Sequence, residues 1–349
     1  MAIDFKTIDG QIIDFLRVTE MASAREIMLE VLPDFSIATV KRALQRLEDA
    51  GYISTLGRGR ATKYIISRVY DLICPIDVAA YFEIEIDERK INKFFNHDLL
   101  RAVLPFATLF NVEELSFLEN LQQEHLRHTA ELTVEEYKRE MERLAIDLSW
   151  KSSQIEGNTY SLLETERLIL QKETAEGKTR DEATMLLNHK AALDFIIAHT
   201  DYVNPLTLSG IEDIHILLVQ DLGVGRNIRR RRVGISGTNY VPLDNEHQIR
   251  DAVEEMCVLV NSKSNIFEKA ILVLLIISYI QPFLDGNKRT ARIVSNAILL
   301  RHGYCPLSFR TVDSMEYKKA MLMFYEQNKI SAFKRIFMEQ FEFAVKTYF

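Results

Sequence analysis

From Ile271 to Arg292 the chain reads ILVLLIISYIQPFLDGNKRTAR, and this stretch restricts the fold and the chemistry together. An unbroken apolar segment stops at Gln281-Pro282-Phe283. A polar loop, Asp285-Gly286-Asn287-Lys288, follows, and Arg289 and Arg292 accompany a new helical pattern from Thr290 to Arg301. A loop that feeds a helix N-terminus presents unpaired backbone N–H groups and the positive end of the helix dipole, so the pattern describes an anion site. Gly286 lets the backbone approach closely, Asn287 is within reach of a phosphate oxygen, and two arginines at i, i+3 spacing share one helix face. Asp285 fits among anions only if a cation accompanies it, and magnesium bridging the carboxylate to phosphates is the expectation.

The segment Gln281-x-Phe283-x-Asp285-Gly286-Asn287-Lys288-Arg289-x-x-Arg292 resembles the signature of the Fic family, in which a histidine occupies the position of Gln281. The resemblance implies an α-helical Fic fold that binds ATP with Mg2+ and transfers AMP to a protein hydroxyl. Asp285 would hold the metal. Gly286, Asn287, Lys288, Arg289 and Arg292 would bind the nucleotide. The family's histidine takes the proton from the target hydroxyl, whereas glutamine has no titratable group near neutral pH. The chain is therefore expected to be slow or inactive, because losing a general base typically costs about 10²–10⁴ in rate. Lys288 is a smaller departure: Doc toxins, which phosphorylate, carry lysine there, which leaves open which phosphate is transferred. Among the histidines, His215 and His247 remain candidates for a substitute base. His302 lies roughly 15 Å along the helix from Arg292, too far to help.

At 349 residues, 47% of them hydrophobic, the chain can build two or three domains. A net charge of −7 argues against a protein that coats nucleic acid over its whole surface but permits a local basic patch. Three scattered cysteines make neither a disulfide framework nor a zinc site, which suits a reducing cytoplasm. The N-terminal residues carry no signal-peptide pattern, and the apolar run Ala270–Ile280 falls short of the about 20 residues needed to cross a bilayer.

Residues 8–66 read as three helices and a hairpin. Ile8, Ile12, Ile13, Phe15 and Leu16 form one apolar face, and Ile27, Met28, Val31 and Leu32 a second. Ser36 caps a third helix bearing Val40, Leu44 and Leu47, which Gly51 stops. A two-stranded wing around Gly57-Arg58-Gly59-Arg60 follows. The whole resembles a winged helix-turn-helix domain over residues 1–70. Between 36 and 68 there are seven Lys or Arg against two acids, a local balance of +5. Thr39, Arg42 and Gln45 would face a DNA major groove, with Arg58 and Arg60 on phosphate or the minor groove. Such modules also serve as docking or dimerisation units.

Residues 71–132 carry no motif and read as a helical connector, with a helix over Glu113–Leu132. The Fic domain is expected over 133–349. At the end of a long helix from Thr133, within 149–157, Ser152-x-x-x-Glu156-Gly157 resembles the family's inhibitory motif. A glutamate paired with Arg292 would occupy the arginine meant for the γ-phosphate. The plainer alternative is a helix end with Gly157 as its cap. Helices are expected over Leu162–Leu170, Arg180–His199, Leu208–Val219, His247–Asn261, Asn265–Ile280, Lys288–His302, Ser314–Glu326 and Ser331–Tyr348. The exception is Val233–Pro242, read as a small β-hairpin after the arginine run 229–232. By resemblance it is a flap whose residues Ile235, Ser236, Gly237, Thr238, Asn239 and Tyr240 hold a segment of the target by strand addition.

The fold class is thus mostly α, with a hairpin flap, preceded by a winged helix. The functional expectation is a cytoplasmic Fic-type adenylyltransferase, autoinhibited by Glu156 and impaired at Gln281, acting on another protein or on itself. DNA is a further partner, a membrane is not, and a homodimer is compatible. The alternatives are an ATP-responsive DNA-binding regulator without catalysis, and a Fic protein that removes AMP.

Overall fold

The computed structural model describes residues 7–349, apart from the side chain of Arg60. Its first unit is built from α1 (Ile8–Thr19), β1 (Met21–Ala22), α2 (Ala24–Glu30), α3 (Ile37–Asp49), β2 (Ile53–Leu56) and β3 (Lys63–Ile66). The strands pair antiparallel in the order β1-β3-β2, so the hairpin gains a third strand that no periodicity marks in so short a stretch. Side-chain caps set the helix starts. Ser23 and Ser36 accept N–H groups of the first turns of α2 and α3, and Gly51 at φ +76° turns the chain out of α3. The apolar faces of the three helices meet in one core around Ile12, Ile13, Leu16, Ile27, Val40, Leu44 and Leu47.

Two short helices, α4 (Tyr70–Ile73) and α5 (Val78–Glu83), begin the connecting segment. Tyr70 belongs to the first core, while Leu72 and Ile73 belong to the second, and the Leu72 carbonyl accepts the Ile330 N–H at 2.8 Å. The larger unit then runs through α6 (Val112–Glu131), α7 (Val134–Ile155), α8 (Leu162–Gln171), α9 (Arg180–Ala198), α10 (Leu208–Val219), α11 (Glu246–Ser262), α12 (Ile266–Ile280), α13 (Asn287–Arg301), α14 (Ser314–Gln327) and α15 (Ser331–Tyr348). Capping boxes on Asn111, Thr133, Ser161 and Thr179 fix four of these starts. At the centre, α12 is enclosed almost completely and packs along α13, which explains its all-round apolarity. None of the described helices is long and apolar enough to cross a membrane.

The hairpin expected over Val233–Pro242 does not form. Gly237 turns at φ +87°, but the two arms make no ladder, and the segment pairs instead with the connector. Val241 donates its N–H to the Lys93 carbonyl at 2.8 Å in a lone parallel bridge with Phe94, and Arg89 reaches the Gly237 carbonyl at 3.2 Å. Backbone partners supplied from residues 86–94 thus replace those the arms would have given each other.

Candidate functional site

The loop between α12 and α13 is held from three sides. Gln281 closes α12 in the left-handed region, at φ 53°, and its side chain is committed. Its amide nitrogen, Nε2, donates to the Ser278 carbonyl at 2.6 Å, and Oε1 accepts from Asn287 Nδ2 at 3.0 Å. Asn287 also binds both the N–H and the carbonyl of Phe283, each at 2.8 Å. This corrects the expectation that the Asn287 side chain reaches phosphate: its amide is consumed in closing the loop, and only its backbone N–H remains for an anion. Arg229, the first of the arginine run 229–232, is 2% exposed. It donates to the Gln281 carbonyl at 2.7 Å and to the Leu243 carbonyl, while Arg230, Arg231 and Arg232 stay outside.

His215 of α10 supports the loop from below. Its ring stacks on Phe283 with centroids 3.7 Å apart, and Nε2 donates to the Asp285 carbonyl at 2.9 Å. Burial pushes its pKa down to about 4 against the opposing pull of that carbonyl, so the ring is neutral at pH 7. It is therefore a loop support rather than a poised base. Gly286 lies at φ +81°, and a Cβ there would come within 3.0 Å of Val219 and 3.5 Å of His215. At the start of α13 the backbone N–H groups of Asn287, Lys288 and Arg289 have no intrahelical acceptor, and the first closed bond is Thr290 to Gly286 at 2.8 Å.

The charged groups are arranged in pairs. Arg289 is buried and donates to Asp285 Oδ2 at 2.8 Å and to the Leu218 carbonyl at 3.2 Å. Arg292 is fully buried and donates to Glu156 Oε1 at 2.8 Å, and Lys288 stands 3.4 Å from Glu156 Oε2. Burial by itself would raise the Glu156 carboxyl, but Arg292 and Lys288 outweigh it and hold it below its ordinary value. Ser152, one turn earlier on α7, accepts from Arg292 Nε at 2.8 Å, and Gly157 leaves the helix at φ +101°. Glu156 is thus both the cap of α7 and the partner of Arg292, so the two readings of this motif are compatible.

A cavity of about 510 Å³ lies over the loop. Glu156, Gln281, Asp285–Arg289, the segment Val233–Gly237, and Met315, Tyr317, Met321 and Tyr325 of α14 line it, with Arg292 behind Glu156. Asp285 exposes 62% of its side chain, and no cluster of three acidic, His or Cys residues able to hold a metal occurs among the described residues. The donor set therefore fits a cation that draws most of its ligands from phosphate and water, as magnesium does.

Residues 205–299 match the family model described as Fic/DOC family. The chain carries a Fic/DOC domain. The protein adenylyltransferase Fic of Aedes aegypti is 30% identical over 187 residues, which cover 52% of this chain and 37% of that protein. That of Drosophila grimshawi is 28% identical over 175 residues, covering 47% and 34%. The chain thus spans little more than a third of the length of these curated relatives. Among solved structures, residues 134–508 of Fic-1 from C. elegans superpose with a TM-score of 0.59 at 21% identity, over 68% of this chain and 72% of that one. A Fic domain containing signaling protein from Bacteroides thetaiotaomicron gives 0.54 at 20% identity, over 67% and 93%. The larger unit therefore has the Fic fold.

The residues expected to form a flap divide. Ile235, Ser236 and Gly237 face the cavity. Thr238 and Asn239 face a second cleft of about 640 Å³ between the flap and residues 87–93. Asn239 is bound to Asp87 at 2.8 Å. Tyr240 is 2% exposed and donates to the Tyr279 carbonyl at 3.0 Å, so its side chain anchors the flap instead of meeting a target. His247 and His302 do not line the cavity. The sequence reading passed over Tyr317 and Tyr325, although Tyr317, Met321 and Tyr325 recur at i, i+4, i+8 on one face of α14.

In the N-terminal unit, Arg42, Gln45 and Arg58 are exposed and Thr39 is half-buried on the α3 side. Thr39 Oγ1 is 3.0 Å from Ser36 Oγ, and Gln45 donates to Asp49 at 2.9 Å, so both are engaged within their own helix. The side chain of Arg60 lies outside the described residues.

Proposed function

We propose that the chain is a Fic-type protein adenylyltransferase, restrained by Glu156 and impaired by Gln281. The observation that carries this is the Glu156 carboxylate between Arg292 and Lys288, in a cavity lined by the loop residues Asp285–Arg289. In this reading the loop N–H groups and Lys288 receive the phosphates of ATP, and Asp285 holds Mg2+, which would offset their charge. A target segment lies along residues 235–239 and presents a hydroxyl to the α-phosphorus. The hydroxyl oxygen forms the new P–O bond as the bond to pyrophosphate breaks. The hydroxyl proton must leave, and Gln281 cannot take it: its amide has no basic site, and both ends are tied to Ser278 and Asn287. Glu156 withholds Arg292 until it swings aside.

The test is transfer of radiolabel from α-labelled ATP to protein, comparing Glu156→Gly with Glu156→Gly/Gln281→His. Labelling of the chain itself or of a lysate protein by the double variant alone is expected. If the double variant binds ATP but labels nothing, the transfer reading fails.

A second reading is supported by the absence of a base and by the exposed Lys41, Arg42 and Arg58, for which no acidic partner is found among the described residues. The first unit would be a winged helix that holds DNA, and ATP occupancy would alter that hold without catalysis. A DNA band shift that responds to ATP in the chain carrying Gln281 would favour it, and a shift indifferent to ATP would refute it.

A further inference from the structure

Arg292 is gripped from behind as well as from the cavity side. Besides the bond from Nε to Ser152 Oγ, one terminal nitrogen donates to the Ser152 carbonyl at 3.0 Å. On the far side of the Ser152 hydroxyl stands His189 of α9, with Nε2 2.7 Å from Oγ. All three side chains are shut off from solvent. A guanidinium N–H can only donate, so Oγ uses a lone pair on Arg292 and keeps its own proton to give. His189 is neutral, because burial and the neighbouring Arg292 and Arg289 hold its pKa well below 6.5. One ring nitrogen is therefore bare, and Nε2 is the one beside the hydroxyl. Nδ1 has no hydrogen bond among the described residues, and Arg292 Nη1 has none of good geometry, although the guanidinium also interacts with Tyr317.

We propose that His189 is a positioning residue for the nucleotide site: its Nε2 accepts the Ser152 hydroxyl proton and so turns a Ser152 lone pair onto Arg292, fixing the guanidinium for a terminal phosphate. The relay joins α9, α7 and α13, and its last member is a buried guanidinium whose donor to Glu156 a triphosphate would satisfy once Glu156 moves away. A charged donor left unpaired in a buried place is costly, and an incoming phosphate removes that cost. His189 touches neither nucleotide nor target and acts only through Ser152.

The inference rests on the nucleotide reading above, and its test separates the two. In full-length Glu156→Gly protein, ATP and ADP affinities are measured by titration calorimetry with magnesium for His189 intact, His189→Phe and His189→Gln. His189→Phe is expected to weaken ATP about tenfold while leaving ADP within about twofold, the effect of a misdirected charged hydrogen bond. His189→Gln, whose carbonyl oxygen can accept the same proton, recovers most of the loss. Equal losses for ATP and ADP, or none for ATP, overturn the proposal. Failure of Glu156→Gly to bind either nucleotide refutes the nucleotide reading instead. Ring nitrogen shifts of His189 in the unaltered chain decide the contact independently of any ligand. A proton on Nδ1 with Nε2 bare at pH 6 supports it, and a proton on Nε2 overturns it.

Discussion

In the N-terminal unit Lys41, Arg42 and Arg58 stand in solvent, whereas at the start of α13 Arg289 and Arg292 are 1% and 0% exposed. The same residue types therefore serve in opposite regimes. Exposed cations interact at high dielectric and are screened by salt, so folding scarcely depends on them. Buried guanidiniums must be paired, because an unpaired charge in a protein interior is among the most destabilising defects available. The sharpest way to break this contrast is Arg292→Ala. It strips Glu156 of its main partner, empties a packed volume beside Tyr317, and is expected to cost about 3–5 kcal/mol of stability. Arg42→Ala should stay within about 0.5 kcal/mol. Urea unfolding of both variants is the check, and comparable losses would show that burial of the pair contributes nothing.

Acid should separate the two units next. All eight histidines lie at position 97 or beyond, outside the N-terminal unit. Burial pushes His125 and His215 each down to about 4, so the folded form resists a proton that the unfolded chain accepts near 6.5. Their contribution is complete above pH 6.5 and is lost as the pH falls towards 4. That amounts to about 3 kcal/mol for each fully expressed shift. Denaturation followed by Tyr and Trp signals of the larger unit should weaken between pH 7 and 5, and His215→Gln should flatten the slope. A pH-independent midpoint over that range would contradict the burial of these rings. Glu156 works with the same sign but lower down, since its depressed pKa makes its pair with Arg292 fail only below the ordinary glutamate range.

Glu156→Gln tests the pair with little change of shape. It leaves Ser152 on Arg292 but removes the carboxylate charge, and the expected outcome is a gain in ATP affinity of about tenfold, roughly 1.4 kcal/mol, by calorimetry. An unchanged or weaker affinity would mean that Glu156 does not compete with the nucleotide.

What could be read in the sequence follows the range of the forces involved. Helix ends in the larger unit were legible to within a residue because capping is local: Thr133, Ser161 and Thr179 each sit three residues before the Glu that completes the box. The loop between α12 and α13 was legible too, since Gly286, Lys288 and Arg292 lie within two turns of one another and the loop and helix start they mark are local features. The directions of Asn287 and Tyr240 were not, because each is decided by a partner the pattern does not name, the Phe283 backbone in one case and the Tyr279 carbonyl in the other. The missing hairpin fails for the same reason at longer range. Val233–Val241 has strand-like composition, but its partners lie about 150 residues earlier, in 86–94, and only the tertiary fold brings them there.

The smallest effect in stability should be the clearest in salt. If α3 and the β2–β3 turn contact DNA, Arg42→Ala and Arg58→Ala each remove one phosphate-directed charge and leave the core around Val40, Leu44 and Leu47 untouched. Each should lower affinity for any duplex by a similar factor and reduce the slope of log affinity against log salt by about one. Arg46→Ala is the internal control. Its guanidinium is already held by Asp9 at 2.6 Å, so the residue offers less net charge to a phosphate and its loss should change the slope less. Band shifts across a salt series would measure all three. If Arg46→Ala alters the slope as much as Arg42→Ala does, the free cations are not the contact surface, and a protein-docking role for the N-terminal unit is favoured.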